Sequence, residues 1–340
     1  MVPRMAKMRV VQVTRPQGPF EPAEKEIPDP GPRQVRIKVE ACGVCHSDMI
    51  AKGGRYPGLT LPRVPGHEIA GKVDAVGAGV AMFKPGERVG VGWHGGHCFE
   101  CEPCRRGDFL NCVKAKVTGL SFDGGYAEYT VVPTEAVARL PDALGAVEAG
   151  PLLCAGITTY NALRNSGARP GQTVAVQGIG GLGHLAIQYA AKMGFRTVAL
   201  SSGGDKEPLA RELGAHAYVD TKKTGAAEGL QRLGGADLVL ATAPHAQAIA
   251  DTVGGLKPRG KLLVVAAAME PLVVSGLALL SGKTIAGWPS GTSIDWEDTL
   301  AFSALTGVRA RVETFKLEEA ETAMGRVLQN QIRFRAVLVP

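Results

Sequence analysis

The 340-residue chain has few long apolar stretches, and none suggests a membrane span. No uninterrupted apolar run approaches the roughly 20 residues needed to span a bilayer, and stretches such as Leu262 to Ala268 fall far short. The start, Met1-Val2-Pro3-Arg4-Met5-Ala6-Lys7-Met8, is basic but has neither the apolar core nor the small-residue cleavage site of a secretory signal. Met5 and Met8 read as part of an extended start. A cytoplasmic protein with no membrane partner is the expectation. Charge of one sign is not concentrated anywhere: 38 Lys and Arg face 32 Asp and Glu, and the net +6 is scattered. A diffuse excess of this kind argues against nucleic acid as a partner. Internal repeats and low-complexity tracts are missing as well.

What remains is an ordinary globular composition, 45% hydrophobic and 21% charged, on a chain long enough for two domains. Seven cysteines, an odd number, with four crowded between Cys98 and Cys112, suit metal binding in a reducing compartment better than a disulfide framework.

The first 140 or so residues alternate short apolar segments, Arg9 to Val13, Val35 to Glu40, Arg88 to Trp93 and Tyr126 to Val132, with turns such as Ile27-Pro28-Asp29-Pro30-Gly31-Pro32. That texture predicts a Gly-rich, mostly β domain. At Pro151 the period changes. Leu152 to Leu163 is helical in spacing, Gln172 to Gln177 is an apolar strand, and Leu182 to Met193 is helical again. Strand and helix then alternate as far as Lys261 to Ala267, the rhythm of a doubly wound parallel sheet. After Trp288 come helices over Trp296 to Thr306 and Leu317 to Asn330, then a strand, Arg335 to Val339, assigned back to the first domain. The boundaries expected are therefore 1–150 with 288–340 for one domain and 151–287 for the other.

Three motifs carry chemistry. Ala41-Cys42-Gly43-Val44-Cys45-His46-Ser47-Asp48 packs a thiol, an imidazole, a hydroxyl and a carboxylate into consecutive positions, a composition suited to a metal ligand, a proton carrier and a group that orients another ligand. Cys98, Cys101, Cys104 and Cys112 run as Cys-x2-Cys-x2-Cys-x7-Cys in a polar loop of about 94–114, spacing that lets four thiolates converge on one tetrahedral ion. Four thiolates leave no open position, so this is a structural zinc signal, with an iron–sulfur cluster as its competitor. The third motif is the strand Val174 to Gln177 running into Gly178-Ile179-Gly180-Gly181-Leu182-Gly183 and then a helix, a dinucleotide fingerprint in full context. Gly178 makes the turn, Gly180 lets the backbone approach a pyrophosphate, Gly183 permits close helix packing, and Gly181 and Leu182 complete the loop. Where an NAD site places a carboxylate, at the end of the next strand, stand Ser201-Ser202-Gly203-Gly204-Asp205-Lys206. Two hydroxyls and an ammonium at Lys206 suit a 2′-phosphate, which favours NADP over NAD; the alternative is that Asp205 or backbone groups bind the ribose hydroxyls and NAD serves as well.

With Cys45-His46-Ser47-Asp48, Gly66-His67-Glu68, the four-cysteine lobe and Leu153-Cys154-Ala155-Gly156-Ile157-Thr158 preceding the glycine loop, the sequence resembles the zinc-dependent alcohol dehydrogenases of the medium-chain dehydrogenase/reductase family over essentially its whole length. The resemblance implies an α/β chain in which a Rossmann doubly wound domain is inserted into a GroES-like, mostly β catalytic domain carrying the zinc lobe. It implies two zinc ions per chain, with Cys45, His67 and Cys154 as ligands of the catalytic one. It further implies zinc-assisted, reversible hydride transfer between a primary alcohol, or its aldehyde, and a nicotinamide cofactor. By the same resemblance Ser47 hydrogen-bonds the substrate oxygen and starts a proton relay, Asp48 orients His67, and Glu68 lies near the metal. His46 contacts the cofactor pyrophosphate, Thr158 the nicotinamide, and Arg335 the cofactor from near the C-terminus. Trp93, Ile50 and Tyr56 line the substrate pocket. Ile50 stands where many members carry the histidine that ends the relay. A homo-oligomer, dimer or tetramer, is implied, and the apolar Leu272 to Leu280 stretch is a candidate edge strand for it.

A polyol or secondary-alcohol dehydrogenase of the same family is the alternative within the class; Cys154 and the complete lobe argue against the polyol type. A non-enzymatic zinc protein that binds nucleic acid would need more clustered cations than Lys114 and Lys116 supply. Cys42 reads as a core thiol, His94 and His97 as loop surface near the lobe with the substrate cleft as the alternative for His94, His184 as a helix cap or phosphate contact, and His216 and His245 as structural.

Overall fold

The computed structural model describes residues 6–340, so Met5 lies outside it, while Met8 is buried in the strand Lys7–Gln12. The chain divides into two compact units, one of 1–154 with 291–340 and one of 155–290.

The first unit is built on a seven-stranded sheet. The long strand Gln34–Val44 is its axis, because its alternating Val35, Ile37 and Val39 are buried while the intervening positions face outward. Ile69–Val76 pairs antiparallel on one side of it, followed by Arg88–Val91 and Ala138–Arg139, and Tyr129–Pro133 pairs with its first half. On the other side of Val44 lies Arg335–Val339, antiparallel, which carries Val312–Lys316 beyond it in parallel. The C-terminal strand thus closes the sheet begun by residue 34. Val10, Val13, Phe20, Val73, Val91, Tyr126 and Met324 fill one continuous core around it. The apparent single helix over Leu317 to Asn330 is a short 3₁₀ turn, Leu317–Glu319, leading into Ala320–Leu328.

The second unit is a six-stranded, wholly parallel sheet. Its spatial order is Ala217–Asp220, Arg196–Ser201, Thr173–Gln177, Ala236–Ala241, Leu256–Val264, Thr284–Gly287. Counted along the unit this is 3-2-1-4-5-6, the doubly wound dinucleotide-binding order, with its reversal beside Thr173–Gln177. That strand is buried at every position, as a strand covered on both faces must be. The stretch Leu272 to Leu280 is not a strand: it has no alternation, and Ser275 leads into a 3₁₀ turn, Gly276–Leu279. The edge strand is instead Thr284–Gly287. No helix among the described residues is long and apolar enough to cross a membrane.

Candidate active site

Two elements of the first unit bring a metal-binding set together. The axial strand ends at Val44, delivering Cys45 at the start of a 3₁₀ turn, His46–Asp48, and Gly66-His67-Glu68 leads into the neighbouring strand. A third, the π-helical turn Leu152–Gly156, carries Cys154. Widened turns of this kind commonly mark functional sites, because the extra residue re-aims a side chain. Ligand atoms of Cys45, His67, Glu68 and Cys154 all lie within 4.8 Å of one another, and the Cys45 and Cys154 sulfurs are 3.9 Å apart.

The hydrogen-bond network around this set determines how each group is presented. Asp48 Oδ1 accepts from His67 Nδ1 at 2.9 Å, which leaves Nε2 as the atom facing the sulfurs. Nε2 is buried and has no partner. Glu68 Oε1 pairs with Arg335 Nη2, and Oε2 is buried without a partner. Burial pushes the Glu68 carboxyl up to about 7 against the pull of Arg335. The Cys154 thiol, hydrogen-bonded to Cys45, drives Cys45 well below the ordinary thiol range, and Cys154 itself is pushed up by the same contact and by burial. His67 is raised: burial opposes its charge, but Asp48 and then Cys45 outweigh that. A buried imidazole nitrogen and two soft sulfurs converging on one space form a donor set that a divalent transition ion completes.

The second sulfur cluster lies in the lobe. Cys98, Cys101, Cys104 and Cys112 present their sulfurs within 4.8 Å of one another, with separations such as 3.5 Å for Cys98 and Cys112. A disulfide needs about 2.05 Å, and all seven cysteines are free. Backbone N–H groups of Cys101 and Lys114 point at Cys98 and Cys112 sulfurs at 3.4 and 3.3 Å. N–H donation from Glu100 and Cys101 lowers the Cys98 thiol to about 6, whereas burial raises Cys104 to about 12. The N–H bonds favour a thiolate at Cys98, in keeping with a tetrahedral four-sulfur site.

Around the first cluster, Trp93 stands edge-on to His67, 5.0 Å between centroids at 89°. Trp93 and Tyr56 pack on an apolar group of Ala51, Val117 and Leu120, while Ile50 is 40% exposed outside it. Ser47 is half-buried and His46 exposed. Arg335, expected as a cofactor contact, is buried, with Nη2 on Glu68 and the Val44 carbonyl. His94 corrects the expectation of loop surface, whereas His97 does lie in the loop, half-buried. His94 is 3% exposed within a short strand, His94–Gly96, and its Nε2 meets His97 Nδ1 at 2.9 Å, because His97 is stacked on Phe109 and turned inward.

In the second unit the glycine loop follows Thr173–Gln177 and opens the helix Gly183–Lys192. Gly178 has φ +94°, and a Cβ on Gly183 would fall 2.0 Å from the Gly178 carbonyl oxygen. Around Gly180 a Cβ would meet nothing within 4 Å, so the loop leaves open space where a pyrophosphate would approach. His184 is buried with Nδ1 3.0 Å from the Gly180 carbonyl oxygen, inside the loop's own scaffold. Thr158 is half-buried on the helix Ile157–Arg164. Ser201 is buried at its strand end, Ser202 is exposed, and Lys206 is half-buried. One residue near this loop escaped the sequence reading: Asp220, on the adjoining strand opposite Ser201, accepts from the Gly203 N–H at 2.8 Å and the Lys222 N–H at 3.0 Å.

A 3-2-1-4-5-6 sheet with an open glycine loop, together with a thiolate–imidazole metal set on a separate β unit, defines a metal-dependent dinucleotide enzyme as the class. Comparison with known proteins agrees. The family profile for the alcohol dehydrogenase GroES-like domain matches residues 31–142, and that for zinc-binding dehydrogenase matches 181–304. The chain is 46% identical over 305 residues to an alcohol dehydrogenase from Penicillium expansum, covering 90% of this chain and 89% of that one. It is 40% identical over 334 residues to an alcohol dehydrogenase from Geobacillus stearothermophilus, 97% and 98% covered. A cinnamyl alcohol dehydrogenase structure from Sorghum bicolor superposes with TM-score 0.87 at 31% identity, 98% of each chain covered. The chain belongs to the zinc-dependent alcohol dehydrogenases of the medium-chain dehydrogenase/reductase family.

Proposed function

We propose that the protein is a zinc-dependent alcohol dehydrogenase that interconverts small to medium primary alcohols and their aldehydes with NADPH as the preferred cofactor. The observation that carries this reading is His67 Nε2, buried, unpartnered and facing the Cys45 and Cys154 sulfurs. Cys45, His67 and Cys154 hold the catalytic zinc, and Cys98, Cys101, Cys104 and Cys112 hold a second, structural one. When bound, zinc polarises the alcohol oxygen so that its proton leaves near neutral pH, and the nicotinamide accepts the hydride.

The chain's own groups do the rest. Asp48 fixes the tautomer of His67. Ser47, two residues beyond Cys45, takes the alcohol proton, and Ile50 offers it no onward path, so it leaves through water or the cofactor ribose. Trp93 with Tyr56 gives the substrate an apolar wall, which favours an apolar carbon chain over a polyol. The Gly178–Gly183 loop and His46 take the pyrophosphate, Thr158 the nicotinamide, Arg335 adds positive charge near the zinc ligands, and Ser201, Ser202 and Lys206 receive the 2′-phosphate. The charge of Asp220 opposes this only in part, because its Oδ1 is occupied by two backbone N–H groups and Lys223 lies 3.9 Å from Oδ2. A cytoplasmic homo-oligomer, dimer or tetramer, completes the proposal. It is supported by Val273, Leu277 and Leu280, 77%, 78% and 80% exposed, close in sequence to the edge strand Thr284–Gly287.

The test is a panel of aliphatic and aromatic aldehydes with NADPH and NADH, run with metal analysis of the unaltered protein and of Cys45→Ala. Two zinc ions per chain, falling to one with loss of activity in the variant, and a higher kcat/KM with NADPH are expected. Activity that survives Cys45→Ala would sink the zinc mechanism, and a strong NADH preference would overturn the cofactor assignment.

A further inference from the structure

Asp48 connects the metal-binding set to a residue farther inside the first unit. Its carboxylate is 3% exposed and accepts three hydrogen bonds. Oδ1 takes His67 Nδ1 at 2.9 Å; Oδ2 takes the Cys45 backbone N–H at 2.9 Å and the Tyr126 hydroxyl at 2.8 Å. Tyr126 is wholly buried and cannot drift. Its N–H donates to the Pro65 carbonyl at 3.0 Å, its own carbonyl receives the Val11 N–H at 2.8 Å, and its ring lies edge-on to Phe20 at 5.9 Å. Space for the ring is cleared by Gly66, at φ +98°, where a Cβ would stand 2.4 Å from the ring. A side chain at the residue next to the ligand His67 would collide with the Tyr126 ring and, at 2.9 Å, with the Cys42 sulfur.

The consequence for His67 is geometric. A carboxylate can turn about its terminal torsion and offer either oxygen, since that torsion is broad and two-fold. Two donors on Oδ2 remove this freedom and leave Oδ1 as the oxygen that His67 meets. With Nδ1–H committed there, the lone pair of Nε2 is held towards the Cys45 and Cys154 sulfurs. We propose that Tyr126 is a positioning residue for the ligand His67, acting through Asp48, so that retention of the metal at Cys45, His67 and Cys154 depends on the phenolic hydroxyl. The proposal rests on the zinc reading of that set.

The experiment is chelator-driven zinc release from the loaded protein, followed by a chromogenic chelator, for the unaltered chain and for Tyr126→Phe, with Cys45→Ala used to assign the phases. The four-cysteine site serves as an internal reference. Tyr126→Phe is expected to speed release from the Cys45 site about 10-fold or more, the usual scale for loss of an outer partner, and to leave release from the four-cysteine site unchanged. Cobalt exchanged into the Cys45 site should show shifted visible bands in the variant. Equal release from the Cys45 site in both proteins, or equal acceleration at both sites, would overturn the proposal. An unaltered protein with no zinc phase assignable to Cys45 would overturn the zinc reading and the proposal with it. Should the Phe variant not accumulate as folded protein, 3-fluorotyrosine placed at position 126 keeps the hydroxyl, makes it a stronger donor and adds one small ring atom. A change of about threefold or more at the Cys45 site alone supports the role, and no change removes it.

Discussion

Gly43 and Glu68 face each other so closely that a methyl group on Gly43 would stand 1.8 Å from Glu68 Oε2. The glycine lies inside the axial strand, where its missing side chain is the space into which the buried carboxyl fits. Gly43→Ala is expected to cost 1–3 kcal/mol or more, the range for overpacking a well-filled core, and to displace Glu68. Gly53, in the helix Met49–Gly53, would meet nothing within 4 Å on gaining a Cβ. Gly53→Ala should therefore stabilise by up to about 1 kcal/mol. Urea midpoints of the two variants check the contrast; similar effects from both would refute it.

Arg335 and Glu68 form a buried ion pair, 6% and 0% exposed at their side chains. Removing one member strands the other, which typically costs 3–5 kcal/mol, whereas removing both leaves no uncompensated charge. Arg335→Met should be strongly destabilising, and Arg335→Met with Glu68→Gln should recover a large part of the loss. A double variant no more stable than the single one in chemical denaturation would mean that Arg335 acts through contacts other than Glu68.

Asp220 separates two effects on the cofactor loop. Asp220→Asn keeps an oxygen acceptor for the Gly203 and Lys222 N–H groups but removes the charge, so it should lower the KM for NADPH a few-fold and leave NADH nearly unchanged. Asp220→Ala loses the anchor and should weaken both cofactors. Steady-state KM values for the pair decide the matter, and identical behaviour of the two variants would rule out the anchoring role.

His94 makes stability depend on acid. Burial, then neighbouring His97, lowers its pKa from 6.5 to about 4. Between these values the unfolded chain binds a proton that the folded chain refuses, so stability is full above pH ~6.5 and falls as the pH drops towards ~4. The contribution is up to about 3 kcal/mol at 1.36 kcal/mol per pKa unit. Urea midpoints measured between pH ~7 and ~5 should fall less steeply for His94→Asn than for the unaltered protein. Parallel slopes would show that His94 is already neutralised by other means.

Much of the fold was legible because it rests on local patterns. The period-2 segment at Val35 to Glu40 and the apolar strand before Gly178 were readable one residue at a time, as was the final strand Arg335–Val339. Charged strands were not: Glu21–Glu26, Glu-Pro-Ala-Glu-Lys-Glu, has no apolar face and is a strand only because Lys7–Gln12 pairs with it. Leu272 to Leu280 misled in the opposite way, being apolar enough for a strand but lacking a neighbour to pair with. Histidines followed the same rule. His94 looked like loop surface because it packs on His97, which is itself stacked on Phe109 from across the lobe.

The sequence by itself determined the donor types, the spacing Cys-x2-Cys-x2-Cys-x7-Cys, and the strand–glycine loop–helix unit, since these depend on residues near one another along the chain. Only the tertiary structure decided which atoms meet: that Cys45, His67, Glu68 and Cys154 share one space, that Arg335 neutralises Glu68, and that Tyr126 holds Asp48. Those pairings join residues dozens to hundreds of positions apart. They follow from a sheet whose axial strand is flanked by Ile69–Val76 and by the C-terminal strand Arg335–Val339, an arrangement that packing selects and no local pattern encodes.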